Sequence, residues 1–334
     1  MATKIIRSYK DQKAYDVAPT PDVAHLPKIK GYDFNQKFDL SKFLQAYNST
    51  GFQASNLGKA VDIVKNMQRE NATIFLGYTS NMVSSGIRDI ITYLVKEKQV
   101  HALVTTAGGV EEDIIKCLKS FHLGLFEVSG RSLFEKGINR TGNIFIPNDR
   151  YLYFEKFINP FLDRLYKEKK IWTVTEITRE LGKEIAKEKN CEESILYWAY
   201  KNEIPVFCPA LMDGSFGDLV YFMKQRHSDF QIDMTEDSKK IIDFALQAEK
   251  TGAIILGAGV AKHFILNANI FREGLDYAVY INTAEEYDGS DSGANPEEAI
   301  TWGKIKTDAA HVKVHADATL VFPLLVAGSF AAKK

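Results

Sequence analysis

The sequence predicts an α/β protein with a mostly parallel sheet that is covered by helices on both faces. Two observations lead to this fold class. From about residue 38 onward, amphipathic helical patterns alternate with short apolar runs, and the runs end in small, polar or acidic residues. Strands that alternate with helices pair in parallel, so both faces of their sheet are buried.

The individual elements follow from the hydrophobic period along the chain. Apolar runs typical of buried strands occupy residues 72–81, 101–109, 203–215, 252–260, 276–284 and 312–320. Amphipathic patterns typical of helices occupy residues 82–99, 110–121, 175–202, 216–225, 234–251, 260–272 and 295–303. Residues 1–35 are polar, contain three prolines and show no such period, which predicts an N-terminal extension. Residues 36–334 are predicted to form a single domain.

The ends of the predicted strands indicate a ligand site. The first five apolar runs end in Gly, Ser, Thr, Asn or Asp, and parallel strands place these ends on one edge of the sheet. Residues of these types also make good turns and helix caps, which explains any single strand end. Five successive ends of this kind favour a binding edge, where helix N-termini suit phosphate groups.

Composition excludes several classes of protein. The chain has 334 residues and a net charge of −1, which does not favour a nucleic-acid or anionic-membrane surface. The three cysteines, Cys117, Cys191 and Cys208, form no CxxC pair, which argues against a disulfide framework or a structural zinc site. The N-terminus lacks the apolar core of a secretory signal, and the last apolar run is too short to cross a bilayer. We therefore expect a reduced, soluble, cytoplasmic protein.

Two glycine-containing strand ends are candidate nucleotide sites. Gly257 and Gly259 in GAGVAK precede a predicted helix, with Lys262 in place of a third glycine. A dinucleotide fingerprint and a plain tight turn both fit this fragment. In TTAGGVEED, Glu111 and Glu112 open a helix, where acids ordinarily complement the helix dipole. Such acids would repel phosphate, but they can accept hydrogen bonds from ribose hydroxyls.

The histidines differ in their sequence context. His311 and His315 share one face of a predicted strand, but no third ligand is near in sequence, so we reject a metal site there. His263 and Asn267 lie one helical turn apart, directly behind the glycines. A histidine on a helix is usually a surface or core residue, but this position favours the cleft and a role in moving protons.

The richest segment is residues 282–304, NTAEEYDGSDSGANPEEAITWGK. It contains no basic residue before Lys304, and its carboxylates are interleaved with Tyr287 and Trp302. Charge runs are usually solvated loops, but carboxylates beside aromatic faces also suit a long cation such as a polyamine. A lysine is a nucleophile only as the neutral amine, which can then form an imine. A reaction that needs both a cationic substrate and a lysine imine would explain the whole segment.

Several of these motifs together resemble the deoxyhypusine synthase family. They are LGYTSN, TTAGGVEED, PALMDGSFGD, GVAKHFILNAN, NTAEEYDGSDSGANPEEAITWGKI and VKVHADATLVFPLLVAGSF. The resemblance runs from about residue 31 to the C-terminus and implies a Rossmann-like fold, with residues 36–334 as an NAD-binding catalytic domain. It also implies a homotetramer, a dimer of dimers, with active sites between paired subunits. In the family an N-terminal helix can cover the partner's tunnel, and whether residues 1–35 do so stays open.

The resemblance also implies an activity. It is the NAD-dependent transfer of the aminobutyl group of spermidine to a lysine of the translation initiation factor 5A precursor. In the family, 1,3-diaminopropane leaves and an enzyme lysine carries the aminobutyl group as an imine. The lysine of the protein substrate then displaces the enzyme lysine, and the new imine is reduced.

Carried over motif by motif, the resemblance assigns roles to residues. Lys304 would form the imine, and His263 would handle protons beside the substrate. The residues that would bind spermidine are Asp218, Asp291, Glu298, Trp302, Asn267 and Tyr280. The residues that would bind NAD are Ser80, Ser84, Thr106, Glu112, Asp213, Gly257, Gly259, Thr283, Asp288, Ser292, Ala316 and Asp317. No metal is expected.

Other functions compete with this one. A homospermidine synthase would transfer the aminobutyl group to putrescine. The predicted spermidine-binding residues do not distinguish putrescine from a protein lysine as the acceptor. An inactive paralogue that activates another chain would be expected to have lost Lys304 or its neighbours, which are present. A sirtuin-like deacylase needs a zinc-binding cysteine set, which this sequence lacks. The chain departs from the family at Ala258, where glycine is common, and at Phe264, where a second histidine is common.

Overall fold

The computed structural model describes residues 22–331 and contains eleven strands within them. They are β1 (Thr73–Tyr78), β2 (Ala102–Val104), β3 (His122–Leu123), β4 (Ile138–Thr141), β5 (Ile144–Pro147), β6 (Ile171–Thr173), β7 (Val206–Phe207), β8 (Gln231–Asp233), β9 (Thr251–Leu256), β10 (Leu275–Asn282) and β11 (Ile305–His315). Six of them form one parallel sheet in the order β11-β10-β9-β1-β2-β7. Each of the six predicted strands contributes to this sheet, which confirms the predicted fold class.

Fourteen α-helices connect and cover the strands in the described part of the chain. They are α1 (Leu40–Thr50), α2 (Phe52–Arg69), α3 (Ser80–Ser84), α4 (Ile87–Lys96), α5 (Ala107–Leu118), α6 (Gly130–Glu135), α7 (Asp149–Glu168), α8 (Val174–Ile185), α9 (Ile195–Asn202), α10 (Ser215–Arg226), α11 (Thr235–Leu246), α12 (Val260–Ile270), α13 (Pro296–Thr301) and α14 (Ala318–Gly328). Helices α3, α5 and α12 begin directly after strands β1, β2 and β9, so their N-termini lie at the carboxyl edge of the sheet.

The sheet separates two apolar cores because successive side chains of a strand face opposite sides. Ile74 and Leu76 of β1 pack in the larger core with α2, α4 and α14, whereas Phe75 packs in the smaller core with α11, α12 and α13. Helices therefore cover both faces, as predicted. Tyr280 of β10 belongs to the smaller core, which turns its phenol toward α12 and α13.

The predicted helix over residues 175–202 is wrong in one respect, because the structure has two helices there. α8 and α9 are separated by a short 3₁₀ turn at Cys191–Glu193. The second helix starts where it does because Asp113, from α5, accepts hydrogen bonds from Ser194 Oγ at 2.6 Å and Ile195 N at 3.1 Å. Ser194 also caps the new helix by accepting from Tyr197 N.

Two other predicted elements differ from the structure in their bounds. The helical pattern over residues 82–99 is divided between α3 and α4, with Gly86 at the junction. The strand pattern over residues 312–320 stops at His315, because Asp317 accepts a hydrogen bond from Thr319 N at 2.7 Å and caps α14. The sequence did not predict two small sheets, the antiparallel β3-β5-β4 and the parallel pair β6-β8, nor helices α1, α2, α6, α7 and α14.

The predicted N-terminal extension lies partly outside the described residues, which begin at residue 22. Its last part returns to the body of the protein. Lys30 N donates to Ser49 O at 2.9 Å, and the Tyr32 ring packs 5.6 Å from that of Phe43. Across residues 22–331, no helix combines the length and the apolar composition that crossing a membrane requires.

Candidate active site

Two cavities adjoin each other beside helix α12. The first, the lysine cavity, has a volume of about 380 Å³, and the second, the glycine cavity, one of about 500 Å³. The loop of residues 283–295, here called the acidic loop, contributes to both. Asp291 lines the lysine cavity, and the next residue, Ser292, lines the glycine cavity.

The lysine cavity brings together seven of the eight residues predicted for catalysis and spermidine binding. They are Lys304, His263, Asn267, Tyr280, Asp291, Glu298 and Trp302. Helix α12 supplies the histidine and the asparagine, strand β10 the tyrosine, and the crossover from β10 to β11 the rest. The sheet places β10 and β9 side by side, so the helix that follows β9 lies against that crossover.

Lys304 is held at the start of β11 with its amine facing α12. Its backbone N–H donates to Ala299 O at 3.0 Å, and its carbonyl accepts from Leu275 N at 3.0 Å. The preceding Gly303 has a φ of 67°, a left-handed conformation that favours glycine. The amine lies 5.7 Å from the centre of the Trp302 ring. The lysine is half-buried, and its side chain extends into the cavity.

Lys304, His263 and Asn267 form a line of hydrogen bonds. His263 Nε2 lies 3.2 Å from Lys304 Nζ, and His263 Nδ1 lies 2.9 Å from Asn267 Nδ2. An amide nitrogen only donates, so with Asn267 in this orientation Nδ1 accepts and the ring proton lies on Nε2. With the amide rotated, its oxygen accepts from Nδ1–H, and Nε2 is then free to accept a proton from the Lys304 amine.

Two buried oxygens in the lysine cavity have no hydrogen-bond partner. They are Asp291 Oδ2 and Tyr280 Oη. Burial raises the pKa of Tyr280, so the phenol stays protonated and can donate as well as accept. The Asp291 oxygen that lacks a partner is closed off within the protein, 3.8 Å from Lys262 Nζ. The Asp291 side chain as a whole is 33% exposed and lines the cavity, so its carboxylate can accept from a donor on a ligand. An amine or ammonium group supplies such a donor.

The glycine cavity lies where β9, β10 and β11 end. Gly257 and Gly259 have φ values of 80° and 71°. A Cβ at Gly257 would lie 2.5 Å from Thr79 Oγ1, whereas one at Gly259 would meet nothing closer than Ser292 Oγ at 4.0 Å. The first glycine is therefore required by the fold, and the second leaves the backbone open to the cavity.

Seven of the twelve residues predicted to bind NAD line the glycine cavity. They are Thr106, Gly257, Gly259, Thr283, Ser292, Ala316 and Asp317. A residue that was not among the predicted ones, Asn282, also lines this cavity, and its buried Nδ2 has no hydrogen-bond partner. Its position at the end of β10 was a signal in the sequence, because that strand end was already noted as polar.

Three more of the predicted residues, Ser80, Ser84 and Glu112, lie next to the glycine cavity. Ser80 N donates to Thr106 Oγ1 at 3.1 Å, and Ser84 Oγ donates to the Glu112 carboxylate. Burial, together with the nearby Glu111, raises the pKa of Glu112 to about 7. The carboxylate is 8% exposed, so its charge is poorly hydrated.

The remaining predicted residues lie elsewhere in the chain. Asp218, in the first turn of α10, and Asp213, just before it, lie near Glu111 and outside the set that lines the lysine cavity. Glu111 caps the same helix by accepting from Phe216 N at 3.0 Å. Asp288 is exposed in the acidic loop, where it accepts from Ser290 N at 2.8 Å.

The strand histidines have acidic partners. His311 Nε2 lies 3.3 Å from Glu297, and His315 Nε2 lies 3.5 Å from Glu285. These contacts attach α13 and the acidic loop to β11. In the described part of the chain, no three His, Cys, Asp or Glu side chains are grouped in a way that could hold a metal ion.

The fold and the two cavities together indicate the class of protein. It is an α/β enzyme whose site lies beside the ends of parallel strands, where such sheets bind ligands. The family model for deoxyhypusine synthase matches residues 42–329. The chain belongs to the deoxyhypusine synthase family, whose members are transferases.

Individual relatives agree with this assignment. A deoxyhypusine synthase of Senecio vernalis is 50% identical, and the alignment covers 92% of this chain and 90% of that protein. Homospermidine synthase 2 of the same plant is 49% identical with the same coverage of both chains. A solved structure from Entamoeba histolytica, given the same family name, has a TM-score of 0.68 and 32% identity, and covers 92% of this chain and 98% of its own.

Proposed function

We propose that this enzyme transfers the aminobutyl group of spermidine to a lysine of the translation initiation factor 5A precursor, with NAD as cofactor. Lys304 would carry the group as an imine. The single observation that supports this most strongly is the position of the Lys304 amine, 3.2 Å from His263 Nε2 in a cavity with an unpaired carboxylate oxygen.

The lysine cavity suits a polyamine better than an anion. Asp291 and Glu298 supply negative charge, and the partly exposed Asp291 carboxylate can accept from an amine. Trp302 presents an aromatic face beside them, which fits the methylenes and ammonium groups of a long cation.

The glycine cavity suits a dinucleotide. The open backbone at Gly259 permits close approach of a pyrophosphate to the N-terminus of α12. Asn282 offers an amide N–H without a partner, and Asp317, which lines the same cavity, offers a carboxylate to ribose hydroxyls. When bound there, NAD would supply the hydride acceptor for spermidine oxidation and the hydride donor for the final reduction.

Between the oxidation of spermidine and the final reduction, residues of this chain would transfer the aminobutyl group. The neutral Lys304 amine adds to the oxidised carbon of the four-carbon fragment, and the bond from that carbon to 1,3-diaminopropane breaks. The proton lost by Lys304 passes through His263 to the departing amine. Attack by the acceptor lysine on the same carbon then releases Lys304 as the free amine.

A dimer of dimers is part of this proposal. Asp218, predicted to bind spermidine, does not line the lysine cavity of its own chain, and Asp213, predicted to bind NAD, does not line the glycine cavity. A site that uses them therefore draws on two copies. The exposed Trp302 and Tyr287, 67% and 88% accessible in one chain, support a partner that covers the cavity mouth. The predicted role of residues 1–35 as a cover for the partner's entrance belongs to the same proposal.

The activity is tested by incubating the protein with NAD, radiolabelled spermidine and the precursor protein. We expect label on the precursor with the wild-type enzyme and with a Lys224→Met control, and none with Lys304→Ala. Unchanged label transfer by Lys304→Ala would overturn the role of the lysine. Absence of transfer by the wild type, alone and after mixing with a paralogue from the same source, would overturn the activity itself.

Homospermidine synthesis is the second candidate, because a homospermidine synthase is 49% identical to this chain. It shares the first half of the reaction and differs only in the acceptor. Incubation with putrescine in the absence of the precursor separates the two. Formation of homospermidine at a rate above that of precursor labelling would favour this alternative.

A further inference from the structure

The backbone of the acidic loop is held by hydrogen bonds from two lysine side chains. Two lysines from different elements, Lys262 of α12 and Lys313 of β11, reach its backbone from inside the protein. Neither residue was predicted as part of the site, and Lys262 had been noted only as the residue that replaces a third glycine. Lys262 also lines the lysine cavity, whereas Lys313 lines neither cavity.

Lys262 is a buried cation whose closest partners are backbone carbonyls. Its side chain is 1% exposed, and its amine donates to Asp291 O and to Ala294 O, the latter at 3.1 Å. The Asp291 carboxylate is further away, with Oδ2 at 3.8 Å, and the Tyr280 ring centre lies at 5.2 Å. A buried ammonium is costly unless it is hydrogen-bonded. These contacts therefore stabilise the lysine and at the same time hold the loop backbone in place.

Lys313 holds the other part of the loop. Its amine donates to Ala284 O at 2.9 Å and to Gly293 O at 2.6 Å, which joins the first and the last turns of the loop. The two parts press against each other at this point, because a Cβ at Gly293 would lie 1.4 Å from Glu285 O. The loop therefore closes on itself around the two ammonium groups.

We propose that Lys262 and Lys313 are positioning residues that fix the acidic loop and so aim the Asp291 carboxylate at the amine substrate. This inference depends on the proposed function for the identity of that substrate. Lys262 bonds to the carbonyl of Asp291 itself, and its ammonium stays beyond hydrogen-bond distance of the carboxylate. The carboxylate thus keeps a free oxygen for the substrate while its backbone is held.

The test compares Lys262→Met and Lys313→Met with Lys224→Met. Methionine keeps the length and apolar stem of lysine but removes the donors. Lys224 is a matched control because its amine also donates to backbone carbonyls, those of Ser228 and Phe230, away from both cavities. We expect KM for spermidine to rise about tenfold in the two test variants, with kcat lowered less than about threefold, as loss of binding without loss of chemistry predicts. The control should match the wild type.

Three further measurements separate positioning from a general loss of structure. Lys313→Arg, which restores donors, should recover most of the wild-type KM. In an Asp291→Asn background, Lys262→Met should change KM by less than about twofold, because the two residues act through one contact. Amide hydrogen exchange should be faster in residues 284–294 of the Met variants and unchanged in strands β1 and β9.

The outcomes distinguish this inference from the proposed function. If the wild type turns over spermidine but the Met variants keep its KM and its loop exchange, the positioning role is refuted and the activity stands. Additive effects of Lys262→Met and Asp291→Asn on KM would also refute it. If the wild type does not act on spermidine, the proposed function fails, and hydrogen exchange alone decides whether the two lysines hold the loop.

Discussion

Replacing Glu112 by glutamine should stabilise the protein at alkaline pH relative to the wild type, although it changes a hydrogen-bonded side chain in the interior. Burial raises the pKa of Glu112 from 4.5 to about 7. Between these values the folded protein keeps a proton that the unfolded chain has released, so stability falls as the pH rises through this window. Glutamine has no such proton and retains an oxygen that can accept from Ser84 Oγ.

The size of the effect follows from the two pKa values. Each unit of difference corresponds to about 1.4 kcal/mol, and the cost of ionising Glu112 grows by about 2.5 kcal/mol between about pH 5 and about pH 8. The free-energy difference between Glu112→Gln and the wild type should increase by that amount in favour of the variant. The sign is opposite to that of an ion-paired carboxylate, whose stabilising effect grows with pH.

Urea unfolding at the two pH values, followed by circular dichroism at one protein concentration, measures this change. Glu192→Gln is the matched control, because it removes the same charge from an exposed side chain. Its difference from the wild type should stay nearly constant. A pH-independent difference for Glu112→Gln as well would show that the carboxylate is ionised in the folded protein and would refute the reasoning.

Three other predictions concern residues that line or support the two cavities. Asp113→Asn should destabilise the protein by about 3–5 kcal/mol in urea unfolding, because Arg88, 2% exposed and 2.8 Å from Asp113, loses its buried counter-ion; a loss below about 1 kcal/mol would contradict this. Gly257→Ala should lower stability by about 1–3 kcal/mol, because its φ is 80° and a Cβ there would lie 2.5 Å from Thr79 Oγ1, whereas Gly86→Ala, at φ −72° with open space, should be nearly neutral in thermal melts of both variants; equal losses would exclude backbone strain and this clash as the cause. Trp302→Ala should raise KM for spermidine about fivefold, because the cavity loses its aromatic face for the cation; an unchanged KM would remove the indole from the substrate site.

The parallel sheet was predictable from the sequence because its central strands, β1, β2, β9 and β10, are buried on both faces. Such strands are nearly continuous apolar runs, and all six runs were recognised. The small sheet β3-β5-β4 gave no comparable signal, because Leu123 and most of β4 are exposed. The break between α8 and α9 depends on Asp113, 81 residues before Ser194, and no local pattern contains that contact.

The sequence predicted which residues belong to the candidate site, but it predicted only in part which of them lie close together. Lys304 and His263 are 41 residues apart, and the motif resemblance, not their spacing, paired them before the fold placed their nitrogens 3.2 Å apart. Asp218 was assigned to the same site, but in one chain it lies beside Glu111 on another helix. A linear sequence does not specify which copy of a chain completes a site. Lys262 was missed because its sequence neighbours, Ala261 and His263, give no sign that this lysine is buried.

The most direct test of the central claim is to trap the intermediate on Lys304. The enzyme is incubated with NAD and spermidine, reduced with borohydride, digested and examined by mass spectrometry. We predict one aminobutyl group on the peptide that contains Lys304, dependent on NAD and absent in Lys304→Arg. An adduct on any other lysine, or transfer to an acceptor with no trapped adduct on Lys304, would contradict the account.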